Sequence, residues 1–198
     1  MLLLWGNIIH LYGQTATATS TFYKGADISW TTELEAEGHH FYDFQGNEQE
    51  CTSLMKKLGM NAIRLRVWVN PKNKWSSKED MLELAKRVKA NHMELMVDFH
   101  YSDWWADPGK QNVPQAWKGL SYEEMKKALA AHTKEVLQLL KNHGITPKWV
   151  QVGNETSDGF LWEMGRASTQ MAQYASLTTA GYDAVKSIFP EATVIVHL

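Results

Sequence analysis

A glutamic acid follows an apolar, strand-like segment in the second half of the chain. Residues 149–153 form a short, mainly apolar segment that is followed directly by Asn154 and Glu155. A carboxylic acid at a strand end can protonate a glycosidic oxygen, and a neighbouring amide can hold the 2-hydroxyl of a sugar. The tripeptide Gly-Asn-Glu alone is a weak signal, because the same three residues also occur in polar loops in which the Glu is solvated.

A second group of polar and aromatic residues follows the strand-like residues 94–100. His100, Asp103, Trp104 and Trp105 fall within six positions of one another. Ionisable and indole side chains gathered in one loop indicate a binding site. Interpretations without a binding role stay open for these residues. For His100 the alternative is a buried, hydrogen-bonded histidine. For Trp104 and Trp105 it is that one of the two indoles packs inward.

A third candidate is the alternation in residues 62–69, which places Arg64, Arg66 and Trp68 on one face of a strand. We expect each guanidinium to be paired. If the face points into the fold, Arg64 can hold an active-site carboxylate in its ionised form. If it points outward, both arginines pair only with acids on helices.

The elements that must position these residues alternate along the chain. Strand candidates are residues 24–29, 62–69, 94–100, 149–153 and 193–198. Four helical patterns separate them, at residues 47–58, 76–88, 121–140 and 170–189. Strict alternation requires parallel strands joined by right-handed crossovers, so the predicted fold class is α/β.

Two features favour a barrel over an open doubly wound sheet. No glycine-rich phosphate loop follows the first strand. Polar or aromatic residues cluster after the second, third and fourth strands alike, as in barrels whose sites combine several strand ends. We predict a (β/α)8 TIM barrel of which five strands and four helices are visible. Residues 22–198 are therefore expected to be the N-terminal part of a truncated catalytic barrel.

Composition narrows the class of partner. A formal net charge of -2 leaves no basic surface for nucleic acid or an anionic membrane, so a neutral partner is expected. Nine tryptophans are many for 198 residues, and Trp in loops is typical of sugar-stacking sites. His39, His40 and His100 lie on different loops with no metal-binding spacing, so we predict no metal.

The first 21 residues have the pattern of a leader. Residues 1–12 are apolar, and the small residues Ala16-Thr17-Ala18 provide a cleavage pattern. We expect residues 1–21 to be a signal peptide and the protein to be secreted, whether extracellular, periplasmic or on the cell surface. An ordinary N-terminal extension is the alternative, since a basic start is lacking, and the run is too short for a stable membrane span. Cys51, the single cysteine, is expected to pack on a helix.

Four blocks in order resemble glycoside hydrolase family 53, the arabinogalactan endo-β-1,4-galactanases. They are residues 24–29, 64–69, 98–103 and 150–155, with Gln111, Pro114 and Trp117 between the last two. The resemblance implies a retaining barrel enzyme that cuts β-1,4-galactan or arabinogalactan of plant cell-wall pectin, without a redox cofactor. It implies Glu155 as acid/base and a nucleophilic Glu at the end of strand seven. That nucleophile is expected beyond Leu198, so this piece alone is expected to be inactive.

The same resemblance implies roles for other residues. Arg64 looks like the arginine that hydrogen-bonds the nucleophile, and Asn154 like the residue that holds the 2-hydroxyl. The residues it implies for substrate binding are Asp27, Trp68, His100, Asp103, Trp104, Trp105 and Trp117.

Three other interpretations stay open. A clan relative acting on mannan, xylan or cellulose also carries Asn-Glu after strand four, although the block at residues 98–103 argues for galactan. A non-catalytic carbohydrate-binding protein would keep the aromatic loops and lack the second carboxylate. A doubly wound binding domain needs a glycine-rich turn, which the sequence does not contain.

Overall fold

The computed structural model describes residues 22–198, and the leader predicted at residues 1–21 lies outside them. Seven strands and five helices follow one another in the described chain. In order they are β1 (Gly25–Asp27), α1 (Thr31–Ala36), β2 (Phe41–Tyr42), β3 (Glu48–Gln49), α2 (Cys51–Lys57), β4 (Ala62–Val67), α3 (Lys78–Ala90), β5 (Glu94–Phe99), α4 (Tyr122–Asn142), β6 (Trp149–Val152), α5 (Ala167–Ile188) and β7 (Thr193–Ile195). A short 3-10 turn at Gln115–Trp117 precedes α4.

Five strands form one parallel sheet in the order β1-β4-β5-β6-β7. Every neighbouring pair is parallel, and a helix lies between each pair in the chain, as crossover connections require. All five predicted strands are confirmed, each ending one to three residues earlier than predicted. The α/β class and the partial (β/α)8 barrel are confirmed as well.

The four predicted helices are present. The described chain contains a fifth helix, α1, which was not predicted. The additional helix α1 has six residues, which is too short for a repeating apolar pattern to show in the sequence. Helix α2 begins at Cys51 and not at residue 47, because residues 48–49 pair with β2 as a hairpin. The Glu50 carboxylate accepts hydrogen bonds from the Thr52 and Ser53 amides and so caps α2.

Helices α3, α4 and α5 each bury one face against the sheet. The shared core includes Leu84, Leu129 and Leu137 from the helices, and Leu65 and Val150 from the strands. Burying each such side chain stabilises the fold by roughly 1.5–3 kcal/mol. Cys51 is buried and free, as predicted, and burial raises the pKa of its thiol.

One histidine lies inside this core. The His132 ring packs against the rings of Phe99, Tyr101 and Trp117, at centroid distances of 5.7, 6.4 and 6.1 Å. Its Nε2 has no hydrogen-bond partner among the described residues. Burial lowers the pKa of His132 from 6.5 to about 4, with a smaller opposing contribution from nearby Glu135.

The buried His132 predicts a loss of stability in mild acid. The unfolded imidazole binds a proton below about pH 6.5, whereas the folded one does so only near pH 4. The free energy of unfolding therefore falls as the pH drops through this window and levels off below it. At about 1.4 kcal/mol per pH unit the loss amounts to roughly 3 kcal/mol. Urea denaturation at several pH values measures it.

The control variants separate His132 from the other titrating groups. His132→Leu should lose less stability across the window than the wild type, and His39→Leu, which changes an exposed histidine, should keep the wild-type slope. Equal slopes for the wild type and His132→Leu would contradict the prediction.

Candidate active site

The carboxyl ends of β1, β4, β5 and β6 bring a polar network together around Arg64. One terminal nitrogen of its guanidinium donates to Asp27 Oδ2 at 2.6 Å. The other lies 2.7 Å from Asp98 Oδ2 and donates to Asn154 Oδ1 at 2.8 Å and to Gln151 Oε1 at 3.2 Å. Arg64 therefore points into the sheet's polar end, as the inward alternative predicted, and joins four strand ends.

Asn154 is held in one orientation from several sides. Its oxygen also lies 3.1 Å from Gln151 Nε2 and 3.1 Å from His197 Nδ1, at the end of β7. Its amide nitrogen donates to the Ala106 carbonyl at 2.8 Å. A side-chain amide carries two N–H groups. Within residues 22–198 only one of them has a partner, so the second can donate to a ligand hydroxyl.

Glu155 follows in a left-handed backbone conformation. Its φ is 50° and that of Gly153 is 85°. A non-glycine residue in this region costs about 1–3 kcal/mol and is stable only when its surroundings hold it. Gln111 Nε2 donates to the carbonyls of Asn154 and Glu155, at 2.8 and 3.1 Å. The half-buried Glu155 carboxylate has no hydrogen-bond or ion-pair partner among residues 22–198, so it remains available to a ligand.

Gly159 closes the loop that carries Glu155. Its φ is 78°, and an added Cβ would lie 1.9 Å from the Gly165 carbonyl oxygen. Both the strained backbone and the contact with main-chain atoms oppose any side chain at this position.

We predict that Gly159→Ala lowers the free energy of unfolding by about 3 kcal/mol, at the upper end of ordinary single substitutions. Chemical denaturation measures the change. Gly119→Ala is the matched control, because Gly119 has a similar φ of 82° and open space around its Cβ position. Equal losses in the two variants would show that the backbone conformation alone, and not the contact with Gly165, sets the cost.

His100 lies beneath this network. Its Nδ1 accepts hydrogen bonds from Trp68 Nε1 at 3.3 Å and from the Ala106 amide at 3.2 Å. Nε2 therefore carries the proton and donates to Asp98 Oδ2 at 2.9 Å. His100 is 1 % exposed, which corresponds to the alternative of a buried, hydrogen-bonded histidine. Trp68 is buried as well.

Arg66 is enclosed by indoles. Its guanidinium carbon lies 5.0 Å from the ring centroids of Trp30 and Trp68 and 4.3 Å from that of Trp105. Its Nε donates to Ser76 Oγ at 3.0 Å. The outward alternative, in which Arg66 pairs with acids on helices, is wrong, since none of the described acids forms an ion pair with it. Burial lowers the pKa of its guanidinium, and Asp27 and Asp98 oppose that effect.

The remaining predicted sugar-binding residues, Asp103, Trp104, Trp105 and Trp117, line a neighbouring cleft, and Trp105 also covers Arg66. Trp104 is 51 % exposed, Trp105 is half-buried and Trp117 is 7 % exposed. The two oxygens of Asp103 accept from the backbone amides of Asn70 and Gln115, at 2.9 and 2.7 Å. Asp103 therefore joins two loops.

Several residues that contribute to the network were not among the predicted site residues. Asp98 and Gln151 bond to one another and to Arg64, His197 contacts Asn154, and Trp30 covers Arg66. A signal existed for Gln151, because a glutamine in the middle of an apolar strand needs a buried polar partner.

Residues 22–198 contain neither a metal-binding cluster nor a membrane-spanning helix. No three histidine, cysteine or acidic side chains lie close enough together there to hold a metal ion. None of the helices in that range is both long and apolar enough to cross a membrane.

Fold and site together define part of a (β/α)8 barrel with its polar groups toward the carboxyl ends of the strands. Residues 23–198 match Glycosyl hydrolase family 53, and the chain belongs to this family.

Several curated relatives carry galactanase names. The chain is 38 % identical over 184 residues to an endo-beta-1,4-galactanase of Bacillus subtilis, covering 89 % of this chain and 42 % of the relative. It is 34 % identical over 178 residues to an arabinogalactan endo-beta-1,4-galactanase of Thermothelomyces thermophilus, covering 89 % and 53 %. The chain thus spans about half the length of the curated relatives it matches.

A solved structure shares the fold closely. The GH53 catalytic domain of Ignisphaera aggregans superposes with a TM-score of 0.84 at 37 % identity, covering 89 % of this chain and 51 % of that one. An exo-beta-1,4-mannosidase from an Opitutaceae bacterium, at 18 % identity and a TM-score of 0.55, shares the fold alone.

Proposed function

We propose that the protein carrying this chain is a retaining endo-β-1,4-galactanase. The observation that supports it most is the pair Asn154 and Glu155 at the end of β6, in a chain of Glycosyl hydrolase family 53. The named galactanase relatives supply the substrate class, β-1,4-galactan or arabinogalactan.

In this proposal Glu155 protonates the glycosidic oxygen as the bond to the sugar breaks, and later takes a proton from the attacking water. Its free carboxylate is suited to that exchange. Asn154 donates its unused N–H to the 2-hydroxyl, while Arg64 and Gln151 hold the amide in place. A retaining enzyme also needs a nucleophilic carboxylate about 5–5.5 Å away.

We propose that a later strand of the barrel, following Leu198, supplies this nucleophile next to Arg64. Residues 1–198 alone are then inactive. Asp27 borders the same network, and we propose it as a group that contacts substrate. We also propose that residues 1–21 direct secretion, which fits a polymer outside the cell.

The test uses the complete gene product with its native C-terminal sequence. Release of reducing ends from β-1,4-galactan is compared with release from mannan, xylan and carboxymethylcellulose. Galactan should be hydrolysed in preference to the other three. Activity confined to another glycan would assign a clan relative, and a folded but inactive protein that still binds galactan would be a carbohydrate-binding protein.

A further inference from the structure

A large cleft lies beside the candidate active site. Its volume is about 1590 Å³, and its walls are the loops that follow β4, β5 and β6. Neither Glu155 nor Asn154 lines it. Ordinary small-molecule sites occupy roughly 300–1,000 Å³, so this lateral cleft has room for an extended ligand.

Trp104 forms one aromatic wall of the lateral cleft. One side of its ring packs on Trp68, with centroids 4.7 Å apart. Trp68 is buried and donates its Nε1–H to His100, which fixes the support. More than half of the Trp104 side chain nevertheless faces solvent. A large apolar ring that is held rigidly and left open is suited to stacking.

Trp162 forms a second aromatic wall. The Arg166 guanidinium carbon lies 3.9 Å from its ring centroid. Its Nε1–H donates to the Asp158 carbonyl at 2.8 Å, and its backbone amide donates to the Gln111 carbonyl at 2.9 Å. Trp162 is therefore fixed like Trp104, with one face of its ring covered by Arg166.

Amide side chains lie between these indoles. Asn112 and Gln115 line the lateral cleft, and neither side chain has a hydrogen-bond partner among the described residues. The lysines Lys72 and Lys118 are balanced by the acids Asp103 and Glu163, so the lining has no net charge that would favour an anion or a cation. Neutral amides and open indoles match a sugar chain, which offers hydroxyls at its edge and C–H groups on the face of each ring.

We propose that the lateral cleft is an accessory binding site for a strand of β-1,4-galactan, outside the catalytic centre. The proposal rests on the proposed function, since the ligand named for the cleft is the substrate proposed for the enzyme. The two sites are adjacent, because Gln111 bonds to the Glu155 carbonyl and the next residue, Asn112, pairs with Trp162. The lateral cleft holds polymer near Glu155 and leaves the hydrolytic step to the network around Arg64.

The test compares a long and a short substrate in the complete gene product. For Trp104→Ala and Trp162→Ala, the ratio of kcat/KM on polymeric galactan to kcat/KM on galactotriose should fall about tenfold, the loss of one aromatic contact. Trp75→Ala is the control, because Trp75 is half-buried, lies outside the lateral cleft and, in the described part of the chain, stacks with Lys74 alone. Trp104→Phe should recover part of the ratio.

A second measurement separates this proposal from the hydrolytic one. Affinity electrophoresis in gels containing galactan reports binding whether or not the protein hydrolyses it. Retention that depends on Trp104 and Trp162 without hydrolysis would support the cleft and overturn the hydrolytic assignment. Hydrolysis with the ratio and the retention both unchanged in these variants would overturn the cleft and keep the galactanase. A ratio that falls equally in Trp75→Ala would also overturn the cleft.

Discussion

Replacing Glu155 by Gln lowers the kcat of the complete gene product on β-1,4-galactan by about a thousandfold, because general acid–base catalysis contributes roughly 10²–10⁴. The amide has nearly the shape of the carboxyl group and cannot exchange the required proton. The Glu155 carboxylate has no protein partner among residues 22–198, so the substitution removes no observed contact. The free energy of unfolding should therefore change little, by less than about 0.5 kcal/mol.

Kinetics on galactan and chemical denaturation, measured on the same preparation, test this prediction. Glu191→Gln is the matched control, since Glu191 is exposed just after α5 and loses the same charge. It should keep the wild-type kcat. Wild-type activity in Glu155→Gln would remove this residue from the chemistry. A large loss of stability together with the loss of activity would assign Glu155 a structural role instead.

The sequence predicted the strands well because each is short, apolar and bounded by turns. It also placed Asn154 and Glu155 at a strand end, and the carboxyl ends of parallel strands lie along one edge of the sheet. The observed contacts of Arg64 with Asp27 and Asn154 follow from that rule. Strand order and direction predicted the edge at which these residues lie, and the structure decided between the inward and outward alternatives for Arg64.

Other features depend on distances across the fold that sequence patterns do not encode. The three indoles around Arg66 lie in the loop after β1, at the end of β4 and in the loop after β5. Their spacing in the sequence does not predict that they meet. His197 reaches Asn154 only because β7 lies beside β6. His100 was predicted to bind substrate, but in the structure it is buried. The two N–H groups that bond to its Nδ1 belong to Trp68 and Ala106, which lie 32 and 6 residues away in the chain.

The small elements were missed for a different reason. Strands β2 and β3 have two residues each, and the Asp43 side chain holds the turn between them by accepting from the Gln45 and Asn47 amides. These hydrogen bonds lower the pKa of Asp43. Hydrogen bonds from a side chain to the backbone stabilise this short hairpin. Such an element lacks the apolar periodicity by which longer helices and strands are predicted from sequence.

Replacing Arg64 by Met should lower the free energy of unfolding by about 3 kcal/mol, because breaking a buried ion pair leaves an uncompensated charge. Asp98 is fully buried beside Arg64, and Asp27 approaches it from β1. The loss should lie at the lower end of the usual range of about 3–5 kcal/mol, since Asp27 and Arg64 keep some contact with water. The kcat on galactan should fall too, since Asn154 loses a donor.

The matched control is Arg87→Met. Arg87 and Arg64 have equally exposed side chains, at 25 %, but the acids around Arg87 are 31–53 % exposed. Water can solvate those acids, so this loss should stay near 1 kcal/mol. Urea denaturation near pH 7 compares the two variants. Similar losses would show that the burial of Asp98 does not set the cost at Arg64.

Adding Asp98→Asn to Arg64→Met tests the reason for the loss. If the unpaired carboxylate is what destabilises the variant, removing its charge should recover about 1–2 kcal/mol, within the coupling found for contacting residues. The Gln151 amide, which now donates to Asp98, can turn to accept from the new amide. A double variant less stable than Arg64→Met would mean that Arg64 acts chiefly by joining four strand ends, and that charge compensation is secondary.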